Sequence, residues 1–196
     1  ATGEATADTT GVHVTHSFLV GPNFSRSGSP VRNLNKATTS KGLLTVTNVV
    51  TKCPAGSGPL GREVHCEGEV YGQTTWDTAT ALIAKYGNNT GWRESERLFF
   101  VSLPQSGIYL PDQSGSIYDA YIAADDDDGN LGNGTPNGAE IFAAFNLHEM
   151  AGGAVVSSAH CARPAQAAVV ATPGCDQIAL TWNAVPGATS YRVQKH

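Results

Sequence analysis

The stretch GREVHCEGEV, residues 61–70, gathers one histidine, three glutamates and a cysteine. His65, Glu67 and Glu69 alternate, and on a strand they would share one face as nitrogen and oxygen ligands for a metal. The same residues fit a second chemistry. A long helix-like run follows, so Glu69 reads as an acidic first-turn residue that favours the helix dipole. His65 is then free to act as a hydrogen-bond donor or acceptor, and Cys66 as half of a disulfide. A third reading is a solvated polar face with no chemistry at all.

A second acidic cluster lies at DDDDGNLGNGTP, residues 125–136. Asp126, Asp128 and Asn130 repeat every second residue, an oxygen-ligand pattern suited to calcium. Gly129 is misplaced for an EF-hand loop, and Asn137 stands where that loop carries its glutamate. The bland reading is a solvated acidic loop. His13 and His16 are three apart within VHVTHSFLVGP, which reads as extended, so they are expected on opposite faces with no shared ion. Gly56-x-Gly58-x-x-Gly61 matches the dinucleotide fingerprint formally, but Pro54 and Pro59 make it a turn-rich loop without the required strand and helix.

The elements that must position these residues are mostly helical. Residues 1–10 are small and polar and are expected to fray. Residues 43–53 fit a strand or a short helix. Helices are expected over 69–86, closed by Gly87, over 94–103, closed by Pro104, over 114–124, and over 136–149 with Thr135 as N-cap and Pro136 as first helical residue. Trp76, Trp92, Phe99, Phe100, Phe142 and Phe145 fall at helical spacings and read as core. Beyond a Pro/Ala linker, Ile178, Leu180 and Trp182 alternate as a strand. The division is therefore 1–160, mainly α with long loops, and 161–196, an all-β segment.

The chain has 196 residues, a formal net charge of -5 and 15% charged residues. That balance, without a Lys/Arg cluster, excludes a phosphate-backbone binder, so no nucleic-acid partner is expected. No apolar run approaches a membrane span. Four cysteines fall as two close pairs, Cys53 with Cys66 and Cys161 with Cys175, and local disulfides in an oxidising compartment are expected. N-x-S/T sequons at Asn23, Asn88 and Asn133 agree with secretion, and any secretion signal is expected outside these residues.

Two resemblances add to this reading. ATPGCDQIALTWNAVPGATSYRVQ, through Pro173-Gly174, Leu180-x-Trp182, Pro186-Gly187 and Tyr191-x-Val193, resembles the first strands of a fibronectin type III module, truncated here. REVHCEGEVYGQTTWDTATALIAKYG resembles the Val-His-x-x-Gly-Glu-Val-Trp segment of fungalysin-like, thermolysin-type secreted bacterial zinc metallopeptidases, with Tyr71 at the Trp position. DDDDGNLGNGTPNGAEIFAAFNLHEMAG resembles the C-terminal helix of the same group.

The resemblance implies a secreted, extracellular zinc metalloendopeptidase acting on protein or peptide. His65 falls at the position whose imidazole donates to the oxyanion of the tetrahedral intermediate. The zinc-binding H-E-x-x-H is absent; His148-Glu149 continues Met150-Ala151-Gly152 and lacks the second histidine. The zinc ligands are therefore expected outside this chain, in a missing N-terminal half of the catalytic domain, and the isolated chain is expected not to hydrolyse protein. The alternative is a non-catalytic extracellular scaffold or adhesion protein built from a peptidase-derived domain and a fibronectin-like module.

Overall fold

The structure is a computed structural model and describes residues 2–24, 26, 28–104, 116–152, 169–175, 177–185 and 191. The chain divides into two compact units, Ala1–His160 and Cys161–His196. Helices dominate the first: α1 Thr2–Thr15, α2 Val49–Lys52, α3 Val64–Tyr86, α4 Asn88–Ser102, α5 Ile117–Asp125 and α6 Gly138–Leu147. A short antiparallel pair, β1 Leu19–Val20 and β2 Arg32–Asn33, follows α1 with Leu19 opposite Asn33.

The central element is α3. Its Val70, Tyr71, Ala79 and Leu82 are buried, and α1, α4 and α6 pack around it. Gly87, at φ 81°, ends α3 and opens α4, a left-handed turn that glycine adopts without a Cβ penalty. Gly91 then lets the two helices touch: a Cβ there would stand 2.4 Å from Ile83 Cα. Leu98, Phe99, Tyr121, Ile141, Phe145 and Met150 complete the main core. Trp92 and Phe145 are buried as expected, whereas Phe100 is 46% exposed.

Residues 2–15 depart from expectation. They form a helix, neither frayed nor extended. Its buried side carries Ala5, Asp8, Thr9, Val12 and His13, spaced for one helical face. Three of the five are polar, so the apolar period that marks a helix is missing and packing against α3 supplies the stability. The two histidines accordingly lie on or just beyond a helix. His13 is buried, stacks on Phe99 and bonds Ser95 Oγ at 3.0 Å. His16 is exposed, stacks on Trp92 and bonds Glu96.

Helix boundaries also shift: α4 begins at Asn88 rather than Glu94, and α5 at Ile117 rather than at residue 114. α3 begins at Val64, so Glu69 is not a first-turn residue; it is 3% exposed inside the unit. α6 begins after Asn137 rather than Thr135, because the buried Asp125 carboxylate accepts both the backbone and side-chain N–H of Asn137. The Cys53–Cys66 disulfide is formed as expected. Cys175 carries a free, exposed thiol, so the expected second bridge is not made there, and Cys161 lies outside the described residues.

In the second unit, β3 Val169–Pro173 pairs antiparallel with β4 Ile178–Trp182. The alternation of Ile178, Leu180 and Trp182 is present, but Ile178 is 69% exposed, since two strands cannot cover their own apolar face. Pro186, Gly187 and Val193 of the fibronectin-like pattern lie outside the described residues.

Candidate functional site: a polar strip between α1 and α3

His65 sits in the first turn of a helix of 23 residues. Glu63 is the N-cap, and its carboxylate accepts the backbone N–H of His65 at 3.2 Å and of Cys66 at 2.9 Å. These are donors that a helix N-terminus otherwise leaves unsatisfied. The same carboxylate lies 2.6 Å from His65 Nδ1. One acidic side chain thus ends the loop, caps the helix and sets the plane of the ring. The bonds from His65, foremost, and from the Cys66 N–H hold the Glu63 carboxyl down at about 2. His65 Nε2 points the other way, to Glu4 Oε2 of α1 at 3.2 Å. The ring is 42% exposed.

The loop before the helix is held from two sides. The disulfide joins Cys53, at the end of α2, to Cys66. Glu67, fully buried, turns back to accept the N–H of Leu60 at 2.6 Å and of Arg62 at 3.3 Å. A backbone bridge pairs Ala55 with Arg62. The turn-rich reading of 54–61 holds.

One turn along each helix the pattern repeats. Asp8, four residues after Glu4, takes Nε and Nη2 of Arg32 in a bidentate pair, the second contact at 2.6 Å. Those bonds, against the opposing effect of burial, raise the Arg32 guanidinium. Glu69, four residues after His65, pairs with Lys41. Burial pushes its carboxyl up, and the Lys41 ammonium pulls against that shift. Acidic groups from two helices thus alternate with His65, Arg32 and Lys41 in one strip.

His65, Glu67 and Glu69 do not converge. They lie on a helix, and each turns to a different partner. Because the two nitrogens of His65 face separate carboxylates on opposite edges of the ring, Glu4 and Glu63 do not share one ion with it. Among the described residues the one group of histidine, cysteine or acidic side chains close enough to hold a metal is Asp126, Asp127 and Asp128, with ligand atoms within 4.8 Å. Asp126 Oδ1 accepts the N–H of Asp128 and Gly129, Asp128 accepts Asn130 N–H and Asn133 Nδ2, and Asn130 Oδ1 accepts Gly132 N–H. Asp126 and Asp128 of the expected calcium set do meet. An exposed acidic loop of this kind does not by itself define a cation site.

The sequence reading missed Glu4, Asp8, Arg32, Lys41 and Glu63. The available signals were an acidic residue three before Cys66, where a cap reaches back, and the i, i+4 spacing of Glu4 and Asp8. No protein-family model matches the chain, and no curated protein or solved structure matches it either.

Proposed function

We propose that this chain is the C-terminal portion of a secreted zinc metalloendopeptidase, to which it contributes His65 as the donor that stabilises the oxyanion. The observation that carries the reading is the state of that ring. It is 42% exposed at a capped helix start, with Nδ1 on Glu63 and Nε2 on Glu4 of α1. A donor fixed before reaction is what transition-state stabilisation needs, and such a donor contributes about 2.7–4 kcal/mol; here Nε2 has to exchange Glu4 Oε2 for the oxyanion. Glu63 is the positioning residue: it orients the ring through Nδ1 and holds the backbone beneath it.

Zinc fits this chain only as a group held elsewhere, since the nitrogens of His65 each face a different carboxylate. When bound by the rest of the domain it would polarise the peptide carbonyl and activate water. The Cys53–Cys66 disulfide suits an oxidising, extracellular setting. The β3–β4 hairpin is read as the opening of a fibronectin type III-like module whose remaining strands would cover Ile178 and Leu180. That bare hairpin is also what favours the second reading, a scaffold or adhesion protein with no catalysis.

The test uses the complete protein. His65→Ala should lower kcat by about 10²–10³ with zinc content unchanged. Loss of stoichiometric zinc would instead make His65 a ligand, and no protein cleavage by the unaltered complete protein would leave the scaffold reading. The 196-residue chain alone should show no chelator-sensitive casein cleavage.

A further inference from the structure

One turn along the strip from His65, an open cleft of about 210 Å³ lies between residues 30–33, residues 38–41 and Glu69 of α3. Its charged lining is Arg32, Lys41 and Glu69. Asp8 takes only Nε and Nη2 of Arg32, so Nη1 has no partner among the described residues. Glu69 takes one hydrogen of the Lys41 ammonium and leaves two. Ser40 adds an exposed hydroxyl at the rim. Donors therefore outnumber acceptors, and the one acceptor side chain of the charged set, Glu69, is buried and already paired.

We propose that this cleft receives a carboxylate of the peptide substrate, bound between Arg32 Nη1 and Lys41 Nζ. This rests on the peptidase reading for its substrate class. Four residues of helix separate Glu69 from His65, a rise of about 6 Å, and an extended peptide advances about 3.3 Å per residue. The group that enters the cleft thus belongs to a residue about two positions from the carbonyl at His65. The source of the carboxylate is either an acidic side chain or the free C-terminus of a short substrate, and both present the same fork to a guanidinium.

The experiment reads binding by the chain itself, without catalysis. Backbone amide shifts of Arg32 and Lys41 are followed by NMR as three peptides are added: N-acetyl-alanyl-aspartyl-alanine amide, its asparaginyl counterpart, and N-acetyl-alanyl-alanine with a free carboxylate. The aspartyl peptide should bind at least about tenfold tighter than the asparaginyl one. Ser40→Glu, at an exposed position, should weaken it by a similar factor, and Ser40→Gln should not. Tight binding of the free-acid peptide alone would keep the carboxylate pocket and assign it to chain termini. Equal affinity for all three peptides, no binding of any of the three, or indifference to Ser40→Glu would overturn the proposal. A complete protein that binds the aspartyl peptide but cleaves nothing loses the peptidase reading and keeps the pocket. One that cleaves with no acidic preference does the reverse.

Discussion

Nδ1 of His65 lies 2.6 Å from Oε1 of Glu63, and the same carboxylate caps the helix that carries the ring. Local folding and proposed chemistry therefore share one titratable group. The Glu63 carboxyl is held at about 2, against an ordinary 4.5, first by its bond to His65 and then by the Cys66 N–H. Because the folded value lies below the unfolded one, the stabilisation is present above about 4.5 and drains as pH falls toward 2. The pair is largely exposed, so solvent screening keeps the effect local. Protection of the His65 and Cys66 amides, taken relative to their intrinsic exchange rates, should fall through that window, and Glu63→Gln should remove that fall. A carbon-13 titration of Glu63 with an unshifted midpoint would refute this.

Glu67 makes a second prediction at the same helix start. Its buried carboxylate satisfies Leu60 and Arg62 N–H, and it fills the space beside Gly58, where a Cβ would come within 1.9 Å of Glu67 Oε2. Glu67→Ala leaves these two donors without their acceptor and should cost about 1–3 kcal/mol for each that stays buried. The expected signs are a lower denaturation midpoint and faster exchange at Leu60 and Arg62. Unchanged exchange at both amides would mean that the loop is held by the disulfide alone.

How much of this was legible follows from where the apolar residues lie. The bodies of α3, α4, α5 and α6 carry Leu82, Leu98, Phe99, Tyr121, Ile141 and Phe145 at helical spacing, and Gly87 ends α3. Those were readable. α1 was not, because Asp8, Thr9 and His13 occupy its inner face, and Asp8 and His13 find their partners far along the chain or one turn back: Arg32, Ser95 and the Thr9 carbonyl. The start of α3 was misplaced because its cap, Glu63, is one acidic residue among three. His65 could be singled out by type and neighbourhood, but the carboxylates at its two nitrogens come from different elements, and only the fold brings Glu4 to it.

Two glycines in helices give opposite predictions. Gly11 in α1 has nothing within 4 Å of an added Cβ. Gly11→Ala should stabilise the chain by about 0.5–1 kcal/mol through helix propensity. The substitution also checks α1 itself, since an extended segment would show no such gain. Gly91 in α4 is the contrast: its Cβ would meet Ile83 Cα at 2.4 Å, Ile83 N at 2.5 Å and Leu82 O at 2.7 Å, all backbone of the preceding helix. The propensity gain is the same, but forcing α3 and α4 apart should cost about 1–3 kcal/mol or more, so Gly91→Ala should lower the melting temperature. Equal shifts in the two variants would show that the α3–α4 contact is looser than described.

His148, in the sequence an incomplete echo of a zinc motif, ties three elements together. It is fully buried, with Nδ1 at 2.6 Å from the Leu44 carbonyl and Nε2 at 2.9 Å from Asp77 Oδ2, while Lys36 holds the other oxygen of Asp77. The ring joins the end of α6, the 43–48 segment and α3, and Val46 N–H returns to the His148 carbonyl at 3.2 Å. Its role is structural. Burial by itself would raise the Asp77 carboxyl, but the bonds from His148 and Lys36 outweigh it and hold the group below its usual range. The folded value is thus the lower one, so this stabilisation is present above about 3.9 and is lost as pH falls below it. His148→Ala opens a hole and strips both the Leu44 carbonyl and Asp77 of a partner, and should cost about 3 kcal/mol. Urea denaturation at neutral pH and at about pH 3 gives the check: the variant should be much weaker at neutral pH, with the gap narrowing in acid. A constant gap at both pH values would remove Asp77 from the account and leave only the lost packing.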